Sequence, residues 1–368
     1  MAFMQLVDQG LTHLDDSDII QKLLPELAGK QILTGYEDDG HGGERPILVP
    51  IEEGRKITPR MLMNHTNGTG HTFFNPMMNR YLSSGWDKRN ETADPHQTAL
   101  DAPLMWQPGT HTNYGQGFEW LAVLIERLTG RSLDSVFQGS IFGKLGLQGT
   151  GWEESYGGTI TSALGNEGVL WPRSLKMTNG EGEESWVVMD PPALATVERK
   201  EAYPKGRYHT FPLGTGLVST ASDLGRLLSI LLHEGKDPVS GTQILTPSSA
   251  AQIMSPSLPP HLRNDSRLVP SAIPALCVPV DLSAEHVDPE GSFGLGCGVQ
   301  GETRRLKDGR KGRGKGSVYW FGAANTEFWV DGDKGIAVLC EGNYFPWNDA
   351  KWTSFVAGVE GRVYEALA

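Results

Sequence analysis

Apolar residues recur at helical spacing over a long stretch near the middle of the first half of the chain. Six of them lie three or four residues from other members of the set, as on one face of a helix, and Gly130 provides a stop. They are Phe118, Leu121, Ala122, Leu124, Ile125 and Leu128. The pattern predicts a helix over 117–130 that begins just after HTNYGQ. It therefore places Tyr114 on a loop that leads directly into a helix.

Six other stretches are also predicted to be helical. LVSTASDLGRLLSILLHEG predicts a core helix with Ser219, Thr220 or Ser222 as its cap and Gly235 as its end. AFMQLVDQG resembles the last turns of an amphipathic helix that ends at Gly10. Shorter helices are predicted at LDDSDIIQKLLPEL, at PRMLM after the cap Thr58, at SLDSVFQGSIFGKLG, and at the terminal run WTSFVAGVEGRVYEAL.

Strand signals are concentrated in the last third of the chain. GSVYWFGAAN and TEFWVDGDKGIAVLCEGN are rich in aromatic and β-branched residues, and DGDKG predicts a hairpin connection. By contrast, GYEDDGHGGERPILVPIEEGRK and TNGEGEESW are predicted to be exposed loops. We therefore expect one interlocked domain with two regions. Residues 1–215 are mainly helical and carry the tyrosine loop, and residues 216–368 combine a helix, an antiparallel sheet and a closing C-terminal helix.

Charge and composition exclude several classes of protein. The chain has 368 residues and a net charge of -12, which repels nucleic acid and anionic lipid surfaces. Three cysteines, Cys277, Cys297 and Cys340, have no paired spacing, so we expect neither a disulfide framework nor a zinc knuckle. No apolar run approaches the roughly 20 residues of a membrane span. We expect a cytoplasmic protein without a cofactor, unless an upstream targeting segment is missing.

Five motifs in a fixed order resemble the serine beta-lactamase-like esterases and transesterases, and most closely the fungal lovastatin-type acyltransferases. They are ITPRMLMNHTNG, PLMWQPGTHTNYGQGFEWLAVLIERLTG, IFGKLGLQGTGW, GTGLVSTASDLGRLLSILLHEG and GSVYWFGAANTEFWVDGDKGIAV. The resemblance spans about residues 1 to 350. It implies an α/β (α+β) beta-lactamase/transpeptidase-like fold, in which an antiparallel sheet is flanked by helices and joined to a mainly helical subdomain.

The resemblance also implies a site. In that family a serine in a Ser-x-x-Lys motif attacks an acyl ester or thioester, the lysine and a loop tyrosine move its proton, and backbone amides hold the oxyanion. Tyr114 matches the tyrosine. Residues 320–323 match the opposite wall of the pocket, namely Trp320, Phe321, Gly322 and Ala323, with Gly322 or Ala323 as an oxyanion donor. Gln116 stands where the family often has asparagine, and it keeps an amide of greater reach for positioning the substrate.

The nucleophile of this family has no counterpart in the sequence. None of the lysines has a serine or threonine three residues before it, so no Ser-x-x-Lys exists in the 368 residues. The family places that motif about two turns before the run AFMQLVDQG. We therefore expect that the nucleophile, its lysine and the preceding strands of the sheet belong before Met1, and that Tyr114 is neutral, with no serine or lysine within hydrogen-bond reach.

Other candidate residues have simpler interpretations. His65 and His71 lack a third metal ligand at a suitable spacing, so we favour a turn over a metal site. RRLKDGRKGRGK resembles a phosphate loop only loosely and is interpreted as a solvated hairpin loop. Ser219 and Ser317 have no Gly-x-Ser-x-Gly elbow and are expected in caps and turns. Tyr114 alone fits a turn or core tyrosine, but within five ordered motifs we favour a catalytic position.

Two functions remain open at this stage. The first is an acyltransferase or carboxylesterase of secondary metabolism, with a small-molecule acyl donor and acceptor and with a carrier-protein or CoA thioester as a possible donor. The second is a catalytically degenerate member of the family that binds a small molecule or a partner non-covalently. Eight aromatic residues are candidates for an apolar pocket. They are Trp106, Phe118, Trp120, Tyr319, Trp320, Phe321, Phe328 and Trp329.

Overall fold

Helices and short antiparallel strands alternate along the chain. The computed structural model describes residues 1–83, 102–152, 173–189, 213–214, 216–263, 268–269, 271–278, 280–281 and 288–368. Its helices are α1 (Ala2–Asp8), α2 (Ser17–Leu23), α3 (Pro25–Ala28), α4 (Pro59–Met63), α5 (Pro76–Ser83), α6 (Gly117–Thr129), α7 (Leu133–Phe137), a π-helical turn (Gln138–Phe142), α8 (Gly143–Leu145), α9 (Ala221–Leu232), α10 (Pro247–Ile253), a 3-10 turn (Pro260–Leu262) and α11 (Ala350–Ala366).

The strands form four groups. They are β1 (Ile32–Asp38), β2 (Glu44–Val49), β3 (Arg173–Thr178), β4 (Glu184–Met189), β5 (Leu268–Val269), β6 (Val280–Asp281), β7 (Ser292–Phe293), β8 (Gly298–Val299), β9 (Val318–Gly322), β10 (Thr326–Asp331), β11 (Ile336–Glu341) and β12 (Tyr344–Phe345). The described strands build one five-stranded antiparallel sheet in the order β11-β10-β9-β8-β7, a three-stranded sheet in the order β12-β3-β4, and the pairs β1-β2 and β5-β6.

The five-stranded sheet is covered on both faces, as the alternation of side chains along β10 requires. Phe328 and Val330 point into the main core, which also contains residues of α1, α6, α9 and α10. Trp329 points to the opposite face, where it packs with Trp352 and Val356 of α11. The predicted layering of an antiparallel sheet between helices is therefore confirmed.

Helix α6 is the central helix of the first region. All of its residues from Glu119 to Glu126 are buried, and it ends at Gly130, whose φ of 67° is left-handed. An αL glycine closes a helix without a Cβ penalty. The predicted helix start after the tyrosine loop and the predicted stop at Gly130 are both confirmed.

Capping residues fix the starts of two other helices where the sequence predicts them. Thr58 accepts a hydrogen bond from the backbone N–H of Met61, and Pro59 is the first residue of α4. Among the three candidates for α9, Thr220 is the cap, because its hydroxyl accepts from the N–H of Asp223. Such caps satisfy backbone donors that a helix leaves open at its first turn.

Two predicted loops contain hairpins, and here the sequence interpretation is wrong. Residues 35–49 of GYEDDGHGGERPILVPIEEGRK lie in strands β1 and β2, joined by a turn in which Asp39 accepts from the N–H groups of His41 and Gly43 at 2.8 and 2.9 Å. TNGEGEESW is the turn and the second strand of the β3-β4 hairpin. The acidic residues and glycines are concentrated in the turns. Because the flanking strands are short, the composition of these segments predicts a loop throughout.

The basic run RRLKDGRKGRGK is not simply a solvated hairpin loop, so this interpretation is also corrected. Arg305 and Lys311 do form an antiparallel bridge. However, Arg313 is only 2% exposed and donates to Glu360 of α11 at 3.1 and 3.2 Å and to Glu327 of β10 at 3.0 Å. A buried guanidinium needs carboxylate partners, and these are distant in sequence.

Candidate acyl-transfer site

The loop that carries Tyr114 is held against residues 62–69 by backbone contacts. The N–H of Asn113 donates to the carbonyl of His65 at 3.0 Å. A Cβ on Gly115 would lie 2.4 Å from the carbonyl oxygen of Thr69, and a Cβ on Gly117 would lie 2.3 Å from that of Leu62. Side chains at both positions are therefore excluded, and this accounts for the Gly-x-Gly spacing that follows the tyrosine.

The half-buried ring of Tyr114 lies among four other rings. Its centroid is 4.8 Å from His65, 5.3 Å from His71, 5.7 Å from Phe74 and 5.5 Å from Trp320. These distances are within the range of favourable aromatic pairs. The structure thus brings the ring of Tyr114 to strand β9.

The wall opposite Tyr114 is the end of strand β9. This strand pairs with β10 from Val318 to Gly322, but with β8 only at Val318 and Tyr319. Among the described strands, residues 320–322 therefore have a ladder partner on one side only. Gly322 ends the strand, and Ala323 lies in the tight turn before β10, where the N–H of Asn325 donates to the carbonyl of Gly322 at 3.0 Å.

Five aromatic residues, which we call the aromatic cluster, form a closed series of ring contacts at this place. From Tyr114 the contacts run through Trp320, Phe321, Trp347 and Phe74 and return to Tyr114, with centroid distances of 5.5, 4.8, 5.4, 5.5 and 5.7 Å. All but Trp347 are half-buried. The other four rings of the cluster therefore offer an apolar surface directly beside Tyr114, whose side chain carries a hydroxyl group.

His65 supports the cluster from the interior. It is 4% exposed, and burial, with a smaller contribution from His71, lowers its pKa from 6.5 to about 3. The ring is therefore neutral at physiological pH, because desolvation penalises its charged form. Its backbone φ of 60° is unusual for a residue other than glycine.

The other predicted site residues are distributed between the site and the core. Gln116 is 4% exposed and occupies the N-cap position of α6, two residues after Tyr114. Of the eight aromatic candidates for the pocket, Trp120 and Trp329 are fully buried core residues. Arg127, in the last turn of α6, pairs with Glu26 at 2.9 Å.

The remaining members of the predicted aromatic set also have separate roles. Trp106 stacks on His111 at 5.8 Å, Tyr319 contacts the guanidinium of Arg313 at 4.6 Å, and Phe328 packs on the main core. Phe118 reaches the site only indirectly, with its centroid 5.7 Å from that of His65.

Four aromatic or imidazole side chains at the site were not predicted as site residues. They are His65, His71, Phe74 and Trp347. His65 and His71 lie in HTNGTGH, whose sequence favours a turn, and Phe74 and Trp347 stand in segments without clear periodicity. The backbone hydrogen bond from Asn113 to His65 holds the histidine segment against the tyrosine loop, and Phe74 and Trp347 join the site through ring contacts. These contacts connect residues that are distant in sequence, so no local signal identifies the four side chains.

No group of three or more His, Cys, Asp or Glu side chains in the described part of the chain is arranged to hold a metal ion. All three cysteines are free and buried. Across the described residues, no helix has the length and apolar character needed to cross a membrane.

A sequence model of the beta-lactamase family matches residues 1–357, so the chain belongs to the beta-lactamase family. Within it, the chain is similar to fungal lovastatin-type acyltransferases. It is 25% identical to the monacolin J acid methylbutanoyltransferase of Aspergillus terreus over 364 residues, which are 98% of this chain and 78% of that relative. It is 35% identical to the lovastatin esterase of Penicillium rubens over 147 residues, which are 40% of this chain and 35% of that relative.

Solved structures agree on the fold. A mutant simvastatin synthase from Aspergillus terreus superposes with a TM-score of 0.73 at 23% identity, covering 100% of this chain and 78% of that one. EstCE1, described as a hydrolase with promiscuous acyltransferase activity, superposes with a TM-score of 0.60 at 19% identity, covering 97% and 80%. The predicted fold and the predicted family of acyl-transferring enzymes are confirmed.

Proposed function

We propose that the chain carries the tyrosine loop and the β9 wall of an acyl-transfer site for a small hydrophobic ester or thioester of secondary metabolism. The observation that supports this most is the contact of Tyr114 with Trp320, with ring centroids 5.5 Å apart, at the end of β9 that has one unpaired side among the described strands. Tyr114, which can transfer a proton, thus lies beside the backbone amides at the end of β9 and beside the apolar surface of the aromatic cluster. Acyl transfer requires these three parts.

Each residue has a proposed role in that reaction. The serine hydroxyl of the family attacks the acyl carbonyl, Tyr114 relays the proton that the serine loses, and the alcohol or thiol of the donor leaves with a proton. The backbone N–H of Gly322 or Ala323 holds the oxyanion of the tetrahedral intermediate. Gln116 positions the substrate, and the aromatic cluster binds its apolar part.

The nucleophile is the part that this sequence does not supply, since it contains no Ser-x-x-Lys. We therefore propose that the 368-residue chain binds donor and acceptor without forming an acyl-enzyme. The same observation favours the second candidate function, a non-covalent small-molecule or partner binding protein of this family that uses the aromatic cluster as its binding surface.

The partners follow from the same chemistry. The acyl donor is a small ester or a thioester of CoA or of a carrier protein, and the acceptor is a small-molecule hydroxyl or water. We also propose a cytoplasmic location, because all three cysteines are free thiols.

Ester hydrolysis tests the two candidates. We expect the 368-residue chain to hydrolyse p-nitrophenyl butyrate at a rate that Tyr114→Phe does not change. Any in-frame sequence upstream of Met1 that encodes Ser-x-x-Lys should restore turnover by several powers of ten and make it sensitive to Tyr114→Phe. Rapid turnover by the 368-residue chain that disappears in Tyr114→Phe would show that another nucleophile operates. No gain on extension would favour the binding protein.

A further inference from the structure

The ring of His65 packs against both Tyr114 and Trp320. Its ring centroid is 4.8 Å from that of Tyr114 and 6.2 Å from that of Trp320, with interplanar angles of 47° and 19°. Phe118 and Phe293 enclose the imidazole at 5.7 and 4.9 Å. A ring packed against both residues sets the distance between the tyrosine loop and strand β9.

The backbone of His65 also holds the tyrosine loop. Its carbonyl accepts the N–H of Asn113, the residue before Tyr114, at 3.0 Å. The φ of 60° at His65 lies in the left-handed region, which has a steric cost for a residue with a Cβ. Asparagine and histidine both adopt this conformation more readily than most residues, but asparagine has no ring.

The imidazole of His65 also has an energetic cost. Nδ1 of His65 is buried and has no hydrogen-bond partner among the described residues. An unsatisfied buried polar group destabilises the folded state. Strained backbone and unsatisfied polar atoms persist together mainly where function retains them.

From these contacts we infer that His65 is a positioning residue, whose ring and left-handed backbone together hold Tyr114 at its distance from Trp320. The ring of His71 also contacts the tyrosine, with the two centroids 5.3 Å apart. This inference rests on the proposed function for the role of Tyr114 in acyl transfer, but the placement of the tyrosine ring is measured without any reaction.

Fluorine NMR of the 368-residue chain tests the inference. The tyrosines are replaced biosynthetically by 3-fluorotyrosine, and the resonance of Tyr114 is assigned by its loss in Tyr114→Phe. His65→Asn keeps the left-handed backbone and removes the ring, whereas His65→Phe keeps a ring and removes Nδ1. We expect His65→Asn to shift or broaden the Tyr114 resonance while the distant tyrosine resonances stay in place, and His65→Phe to shift it less than half as far.

Two results would overturn the inference. One is a Tyr114 resonance that is unchanged in His65→Asn, and the other is a shift in His65→Phe as large as in His65→Asn, because the ring would then not be what positions the tyrosine. The Tyr114 resonance in Glu360→Gln, a substitution on α11 rather than in the tyrosine loop, controls for a general loss of stability. Failure of the proposed function would appear in the ester assay and would leave these NMR results as they are.

Discussion

Tyr114 and Trp320 are neighbours, with ring centroids 5.5 Å apart and planes tilted by 32°, although one precedes helix α6 and the other stands on strand β9. This contact joins the two regions of the chain at the proposed substrate surface. It makes Trp320 the residue whose removal should affect ligand binding most selectively.

Removal of the Trp320 side chain should weaken the binding of an apolar ester analogue. We expect Trp320→Ala to reduce the affinity for butyranilide, an amide that resists hydrolysis, by about ten- to a hundredfold, because a large aromatic contact surface is lost. Isothermal titration calorimetry measures the change. Trp186→Ala is the matched control, because Trp186 is 54% exposed on the β3-β4 hairpin. Equal effects of the two substitutions would mean that the ligand binds elsewhere.

A side chain at Gly117 should destabilise the protein. The Cβ of Gly117→Ala would lie 2.3 Å from the carbonyl oxygen of Leu62, so the tyrosine loop would have to move away from residues 62–69. We expect a loss of about 2–4 kcal/mol in the free energy of unfolding, measured by urea denaturation. Gly225→Ala in α9, where an added Cβ meets nothing within 4 Å, should instead raise stability by about 0.5–1 kcal/mol. Similar behaviour of the two variants would contradict the close approach.

The helix over 117–130, the β10-β11 hairpin and the Thr58 and Thr220 caps could be predicted because their signals are local. Periodicity, turn residues and caps each depend on neighbours within a few positions. The contacts that assemble the site could not be predicted from such signals. His65 and Phe74 contact Tyr114, and Trp347 contacts Phe74, only through the packing of separate segments. Arg313 is buried where Glu360 of α11 and Glu327 of β10 meet its guanidinium.

The burial of Glu360 predicts a large effect of neutralising it. Its carboxylate accepts from Arg313 at 3.1 Å and from Arg304 at 2.6 Å, and its side chain is 0% exposed. Glu360→Gln should cost about 3–5 kcal/mol of unfolding free energy, since a buried guanidinium loses its charge partner. The exposed pair of Arg45 and Glu37 provides the comparison, and Glu37→Gln should cost less than about 1 kcal/mol. A small effect of Glu360→Gln would mean that water or Glu327 compensates Arg313.

Burial of His65 predicts a dependence of stability on pH. The folded state keeps the imidazole neutral with a pKa of about 3, whereas the unfolded chain binds a proton near pH 6.5. Protonation therefore favours unfolding. As the pH falls from 6.5 to 4, this residue should remove about 1.4 kcal/mol of stability per pH unit, and the effect should be absent above pH 7.

Chemical denaturation at several pH values measures this slope. His65→Phe should flatten the curve between pH 6.5 and 4 relative to the unsubstituted protein. His13→Gln, a substitution of an exposed histidine, should leave the slope unchanged. An equal slope in the protein and in His65→Phe would show that His65 takes up its proton without unfolding.

Intact-protein mass spectrometry after incubation with a short-chain acyl thioester tests the central claim most directly. The account predicts that the 368-residue chain binds the donor beside Tyr114 and Trp320 but acquires no covalent acyl group, because no Ser-x-x-Lys is present. A stoichiometric increase in mass by one acyl group, abolished by Tyr114→Phe, would contradict it and would show that another nucleophile in this chain operates with Tyr114.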